Sequence, residues 1–182
     1  MDTAGTGGGT GADADADSAD KSRRLAEAVG LREAGDLEGA HARLLDLVRE
    51  FPDDGVVAYQ TAWIHDRLGL EHDAAPYYEQ ALASGHLSPP ARLGALTGLG
   101  STLRVLGRHP EAAEVLRTAA EQYPQDGGSR VFLAMALYNT GEHHEAMSLL
   151  LRLLAATSAD PSVASYRAAI EYYAADLDAT EQ

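Results

Sequence analysis

The sequence contains no cysteine, only one lysine and few aromatic residues, which make up 6% of its 182 positions. Without cysteine the chain forms no disulfide, no thiolate zinc site and no cysteine nucleophile, and this is compatible with a reducing cytoplasm. It also lacks an apolar run of about 18 residues, the length that a membrane-spanning helix requires. Its N-terminus has neither an apolar stretch nor a positively charged start, so it does not resemble a signal peptide. We therefore expect a cytoplasmic protein with no membrane segment.

Acidic residues outnumber basic residues by 28 to 14, which gives a formal net charge of −14. A chain this acidic repels phosphate backbones, so we expect no nucleic-acid partner. Apolar residues make up 45% of the chain, enough for a sizeable core. Two end segments offer little to bury: residues 1–20, rich in Gly, Ala and Asp, and residues 178–182. We predict that both segments are disordered, because burial cannot offset the entropy lost on ordering them.

A pattern recurs four times along the chain, in the segments AGDLEGA, LGLEHDA, LGRHPEA and TGEHHEA. Each has glycine second and alanine last, and the glycines are Gly35, Gly69, Gly107 and Gly141, spaced by 34, 38 and 34 residues. Apolar residues at steps of three, four and seven flank each glycine, which indicates an amphipathic helix on either side. The glycine permits the left-handed turn that ends the helix before it. The pattern therefore predicts four helix hairpins that must stack to bury both of their faces.

This pattern resembles the tetratricopeptide repeat (TPR), whose signature is Trp-x2-Leu-Gly-x2-Tyr, then Ala, an aromatic residue and Pro, at a period of about 34 residues. The third unit fits best, with Leu96, Leu99, Gly100 and Leu103 before the turn and Ala112 after it. The resemblance covers roughly residues 21–158. The whole chain is also similar to a small stand-alone bacterial family built only of such repeats.

The resemblance and the periodicity together predict an all-α fold, an α-solenoid of four TPR helix hairpins with a C-terminal capping helix. The predicted units are residues 21–54, 55–88, 89–126 and 127–158, each with a first helix before the turn glycine and a second helix after it. The extra four residues between Gly69 and Gly107 fall at GHLSPPARL and predict a first helix in the third unit that starts one turn early. The cap, residues 159–177, is predicted to be one helix, the ninth, that starts at Asp160-Pro161. Its predicted apolar stripe is Val163, Tyr166, Ile170, Tyr173 and Leu177.

Three features suggest chemistry, and each has a simpler explanation. His143 and His144 are adjacent in TGEHHEA, and neighbouring residues on a helix do not face each other, so they cannot chelate a metal as an i, i+4 pair would. Gly94 and Gly98 lie in a helical repeat with no preceding strand, so they do not form a phosphate loop. Helix packing is their favoured role, and the alternative is that they leave a bare groove floor for a bound chain. His65 takes a core position, where we expect a buried, hydrogen-bonded imidazole. We therefore expect no enzyme, no cofactor and no metal site.

The resemblance implies that the first helices line a concave groove where partners bind. By their offsets from the turn glycines, the groove residues are Tyr59, Gln60, Trp63, Asp66, Arg67, Thr97, Ser101, Arg104, Phe132, Met135, Tyr138 and Asn139. Aromatic residues and arginine often carry the energy of interfaces. The implied function is a non-catalytic protein–protein interaction module, an adaptor for a peptide or helix. Two alternatives stay open: a self-assembling scaffold unit that forms homo-oligomers, and an enzyme or small-molecule sensor. It also stays open whether Trp63 and Phe132 bind a partner or only pack the core.

Overall fold

A computed structural model describes residues 10–180 of the chain. Ten helices lie within these residues: α1 (Thr10–Glu33), α2 (Leu37–Glu50), α3 (Gly55–Arg67), α4 (Glu71–Ala83), α5 (Pro89–Val105), α6 (His109–Gln122), α7 (Gly127–Thr140), α8 (His143–Thr157), α9 (Pro161–Ser165) and α10 (Arg167–Ala175). The first eight form four hairpins, α1–α2, α3–α4, α5–α6 and α7–α8, and each hairpin packs on the next through α2–α3, α4–α5 and α6–α7. The predicted all-α solenoid is confirmed.

The four hairpin turns have the same backbone structure. Gly35, Gly69, Gly107 and Gly141 all have a positive φ, between 73° and 88°. After each glycine, the next N–H donates to the carbonyl four residues before the glycine, and all four bonds measure 2.9 Å. This bond closes the end of the first helix and requires a left-handed residue, which explains why glycine recurs there.

The repeat positions form the core. Ala40, Ala74, Ala112 and Ala146, each five residues after a turn glycine, are buried. Small residues seven positions before the glycine let the two helices of a hairpin approach closely. At Gly100 even a methyl group would not fit, because an added Cβ would lie 2.3 Å from Cγ of Leu116. The recurrence of small residues in the sequence therefore reflects helix-to-helix distance.

The helix starts follow from local sequence. Asp54 and Asp126 cap α3 and α7, since their carboxylates accept hydrogen bonds from the first backbone N–H groups of those helices. α5 has 17 residues, against 13 in α3 and 14 in α7, and it begins with Pro89 at its first position. The longer first helix of the third unit is therefore confirmed.

The N-terminal helix is longer than predicted. α1 begins at Thr10, so residues 10–20, which we assigned to a disordered tail, are helical, whereas residues 1–9 lie outside the described part of the chain. Alternating Ala and Asp suit this position, because Ala favours helix and acidic groups are stabilised near a helix N-terminus. Residues 15–20 are exposed, so they extend the helix without adding to the core.

The cap differs from the prediction in two ways. It is two helices, α9 and α10, because the backbone breaks at Tyr166 (φ −102°, ψ 7°). Of the predicted stripe, Val163, Ile170 and Leu177 are half-buried, but Tyr166 and Tyr173 are 67% and 54% exposed. The fully buried residue is Ala174, whose carbonyl accepts a hydrogen bond from the Ser148 hydroxyl of α8. A small residue lets α10 lie close to α8, and a tyrosine there would hold the two helices apart.

Within the described residues, no helix combines the length and the apolar character that crossing a bilayer requires.

Candidate functional site

The first helices lie on the inside of the solenoid. α1 contacts α3, α3 contacts α5 and α5 contacts α7, whereas the described parts of consecutive second helices make no comparable contacts with one another. The stack therefore curves with its first helices closer together than its second helices. We call the concave surface of α1, α3, α5 and α7 the inner face.

Trp63 lies at the centre of a cationic cluster on the inner face. The guanidinium carbon of Arg32 is 3.8 Å from the centroid of the indole ring, and that of Arg67 is 5.4 Å from it. Arg32 also donates a hydrogen bond to the side-chain oxygen of Gln60. Burial lowers the pKa of Arg32, which nonetheless keeps its charge. The indole is therefore held in one orientation on α3 by a neighbour from α1.

Arg32 was not among the predicted groove residues. It lies three positions before Gly35, the same offset that Arg104 and Tyr138 have from their own glycines. The offsets from the turn glycine that predict the other groove residues therefore also select Arg32 when they are applied to the first unit.

Asp66 is occupied by bonds within the protein. Its carboxylate accepts hydrogen bonds from the Thr102 hydroxyl at 2.9 Å and from the Tyr78 hydroxyl at 3.3 Å. Burial raises the pKa of Asp66 and also that of Tyr78. This network joins α3, α4 and α5, so Asp66 holds the groove together.

The glycines of α5 make room for two tyrosines. A Cβ added at Gly94 would lie 2.2 Å from Oη of Tyr59, and one added at Gly98 would lie 2.4 Å from Cζ of Tyr78. Helix packing, the favoured role of these glycines, is therefore confirmed, and the alternative of a bare groove floor is wrong, because tyrosine side chains from α3 and α4 fill the space. Thr97 and Ser101 lie half-buried on the same helix.

The C-terminal half of the inner face contains an open pocket of about 500 Å³. Four predicted groove residues meet there, namely Arg104, Met135, Tyr138 and Asn139. Four residues of α8 also line it and were not among the predicted groove residues, namely His143, Ala146, Met147 and Leu150. The offset rule considered only first helices, so it could not find them.

Phe132 and Trp63 have different surroundings. Phe132 is half-buried and packs against the main core cluster, beside residues such as Leu133 and Leu137. Trp63 lies outside both core clusters and stacks with arginine instead. Phe132 thus serves packing, whereas Trp63 remains a candidate for contact with a partner.

The histidines are separated by the fold. The ring of His143 lies 4.8 Å from that of Tyr138, while Nε2 of His144 is 3.9 Å from a carboxylate oxygen of Asp178. His65 is buried, as expected: its Nδ1 donates to the Thr61 carbonyl at 2.7 Å, and its Nε2 is 3.2 Å from Nε2 of His41. No group of three or more potential ligands among the described His, Asp and Glu residues is arranged to hold a metal ion.

Comparison with known proteins agrees with this geometry. A family model described as tetratrico peptide repeat matches residues 55–177. The chain belongs to the tetratricopeptide repeat family. Repeats of this family typically serve as protein-interaction modules, and the match supports that general role here. It starts at the second TPR unit and runs through the cap; the first unit has Arg24 and Glu27 where the TPR signature has Trp and Leu.

A solved TPR structure has the same fold. The chain is similar to the crystal structure of YrrB, described as a TPR protein with an unusual peptide-binding site, with a TM-score of 0.65 and 21% sequence identity. The similarity covers 85% of this chain and 77% of that chain. At this identity the likeness establishes the TPR fold alone. No curated protein matches the chain.

Proposed function

We propose that this TPR chain is a non-catalytic adaptor that binds a peptide or a helix of another protein on its inner face. The observation that carries the proposal is Trp63, which is half-buried and lies under the guanidinium groups of Arg32 and Arg67. Tryptophan and arginine dominate the energetics of many interfaces. A side chain that is already fixed loses little entropy on binding, so this cluster is preorganised for a partner.

Two polar side chains of α3 that could act in catalysis are occupied within the protein, which favours binding over catalysis. Asp66 is hydrogen-bonded to Thr102 and Tyr78, and His65 is hydrogen-bonded to Thr61 and lies against His41. Each is therefore engaged in holding helices together. The exposed groups at the other end of the groove, Met135 and Tyr138, offer contact area.

The test is comparative capture of partners. The wild-type protein, Trp63→Ala and Glu114→Ala are immobilised, and the host proteins that each retains are quantified by mass spectrometry. Glu114 is an exposed residue of the second helix α6 and serves as the control. We expect at least one protein that wild type and Glu114→Ala retain and Trp63→Ala loses. If Trp63→Ala, shown to be folded by circular dichroism, retains the same proteins as wild type, the inner face is not the binding surface.

Self-assembly is a second candidate, favoured by the cap. Tyr166, Tyr172 and Tyr173 expose 67%, 70% and 54% of their surface at the C-terminal end of the solenoid. Exposed aromatic side chains of this size are common in interfaces between copies. Sedimentation over a concentration series tests the idea, since a homo-oligomer through the cap should dissociate in Tyr172→Ser and persist in Tyr59→Phe.

A further inference from the structure

The pocket at the C-terminal end of the inner face lies where a fifth first helix would pack. In the preceding units each first helix contacts the next one, as α5 contacts α7. After the fourth unit the cap helix α10 packs against α8, and the described residues show no comparable contact between α10 and α7. The inner edge of α7 and the adjoining side of α8 are therefore uncovered, in a place shaped to receive a helix.

The surface of this pocket is largely apolar and well exposed. Met135, Tyr138, Met147 and Leu150 expose 42%, 65%, 50% and 39% of their surface. Exposed apolar residues that line one cavity mark binding surfaces more often than isolated ones do. Methionine side chains are flexible and adapt to the shape of a partner's side chains. An apolar helix face therefore suits the pocket.

One cationic group lies in this apolar surface. Arg104 lines the pocket, and its Nε is buried without a hydrogen-bond partner among the described residues. No acidic residue lines the pocket. Glu142, which immediately precedes α8, and Glu145 of α8 both pair with Arg117 of α6. A guanidinium group in an apolar site favours a carboxylate, which its two terminal nitrogens can bind through two parallel hydrogen bonds.

We infer that this pocket binds an acidic amphipathic helix of a partner protein, with apolar side chains against Met135, Met147 and Leu150 and an Asp or Glu side chain at Arg104. The inference rests on the proposed function and specifies the partner's chemistry. It also accounts for how so acidic a chain can take an acidic partner: the inner-face positions of the third and fourth units carry no acidic residue. The carboxylate comes from a side chain within the helix, because a helix that lies along α7 presents its side chains to Arg104.

The experiment selects ligands from a phage-displayed library of random peptides of about 12 residues, long enough for three helical turns. Each peptide is attached to the phage through its C-terminus, so only side chains supply carboxylates. The full chain is the target, and Tyr138→Ala serves for depletion. We expect enriched peptides that place Asp or Glu three or four residues from large apolar residues, the spacing of one helix face.

The most enriched peptide is then synthesised with its acid and with the matching amide, and its affinity is measured by fluorescence anisotropy. Arg104→Met should weaken binding of the acidic peptide about tenfold or more, as expected for loss of a charge-assisted pair. It should leave the affinity of the amide peptide unchanged. Arg92→Met is the matched control, because Arg92 lies on the same helix α5 but outside the pocket. A second pair of variants at an exposed position guards against misfolding. Met147→Glu should weaken binding of the acidic peptide, and Met147→Lys should not.

Three results would overturn the inference. Enriched peptides without an acid, whose affinity depends on Trp63 but not on Arg104, would leave the proposed function intact and refute acid recognition. Failure to enrich any peptide over Tyr138→Ala would refute the pocket as a helix site. A host protein that wild type retains and Trp63→Ala loses would still support the proposed function. A homodimer that Met147→Glu dissociates would show that the occupant is a second copy of this chain.

Discussion

Replacement of Gly98 by alanine tests the packing of the groove floor. The added Cβ would lie 2.4 Å from Cζ and 2.7 Å from Cε1 of Tyr78, distances at which the ring or α5 must move. Tyr78 is fully buried and its hydroxyl bonds to Asp66, so the ring has little freedom to move away. We therefore expect an overpacking cost near the upper end of the usual range of about 1–3 kcal/mol.

Alanine also gains helix propensity of about 1 kcal/mol over glycine, which opposes that cost. The balance is a net loss of about 1–2 kcal/mol, or roughly 2–8 °C in melting temperature for a chain of this size. Thermal and urea unfolding followed by circular dichroism at 222 nm measure it.

Two matched substitutions separate packing from propensity. Gly30 is exposed in α1 and has nothing within 4 Å of an added Cβ, so Gly30→Ala should stabilise the protein by about 0.5–1 kcal/mol. Gly94→Ala meets the hydroxyl end of the half-buried Tyr59, which can swing aside, so its effect should be near zero. If Gly98→Ala is as stabilising as Gly30→Ala, Tyr78 does not pack on α5 as described and the reasoning is wrong.

Two further predictions concern pH and the cap. Burial and the neighbouring His65 lower the pKa of His41, while Asp73 opposes the shift, so the folded state binds fewer protons than the unfolded state. This contribution to stability is present above the unfolded pKa of about 6.5 and is lost as the pH falls below it. The urea midpoint of the wild-type protein should therefore fall between pH 7 and pH 5, and it should fall less in His41→Gln. An equal fall in the two proteins would contradict the assignment to His41. Deletion of residues 161–182 should expose the face of α8 that α10 covers. Because terminal repeats need a polar outer surface, the truncated protein should aggregate or melt early, which light scattering during heating measures. A soluble monomer of equal stability would contradict this prediction.

Much of the fold could be predicted from the sequence because the turn and the close packing within each hairpin require particular residue types, which recur in every unit. A turn with positive φ requires glycine, so Gly35, Gly69, Gly107 and Gly141 mark the hairpins directly. Close helix pairs require small residues, so the alanines five positions later mark the core. These constraints act within one hairpin and recur four times, which makes them visible without the structure.

The parts that were predicted wrongly depend on contacts between units. The apolar stripe of the cap was predicted from apolar residues spaced three and four apart, but α10 approaches α8 through the small Ala174 and leaves Tyr166 and Tyr173 exposed. The contact between Gly98 and Tyr78 of the preceding unit could not be predicted, because it joins two units and leaves no pattern in the sequence.

The candidate site was predicted in part for the same reason. Offsets from the turn glycine found Trp63, Arg104 and Tyr138, since first-helix positions repeat with the units. Met147 and Leu150 belong to a second helix and reach the inner face only because the cap leaves α7 and α8 uncovered. That arrangement follows from how α10 docks, which the repeat pattern does not specify.

Binding on the inner face is tested by the affinity of one identified partner for the wild-type protein, Trp63→Ala and Glu114→Ala, measured by isothermal titration calorimetry. We expect Trp63→Ala to weaken binding by about 2 kcal/mol or more, roughly thirtyfold, because truncation of a central anchor has that effect. Glu114→Ala should bind as tightly as wild type. If the folded Trp63→Ala protein binds like wild type and Glu114→Ala does not, the partner binds the outer surface and the inner face is not the site.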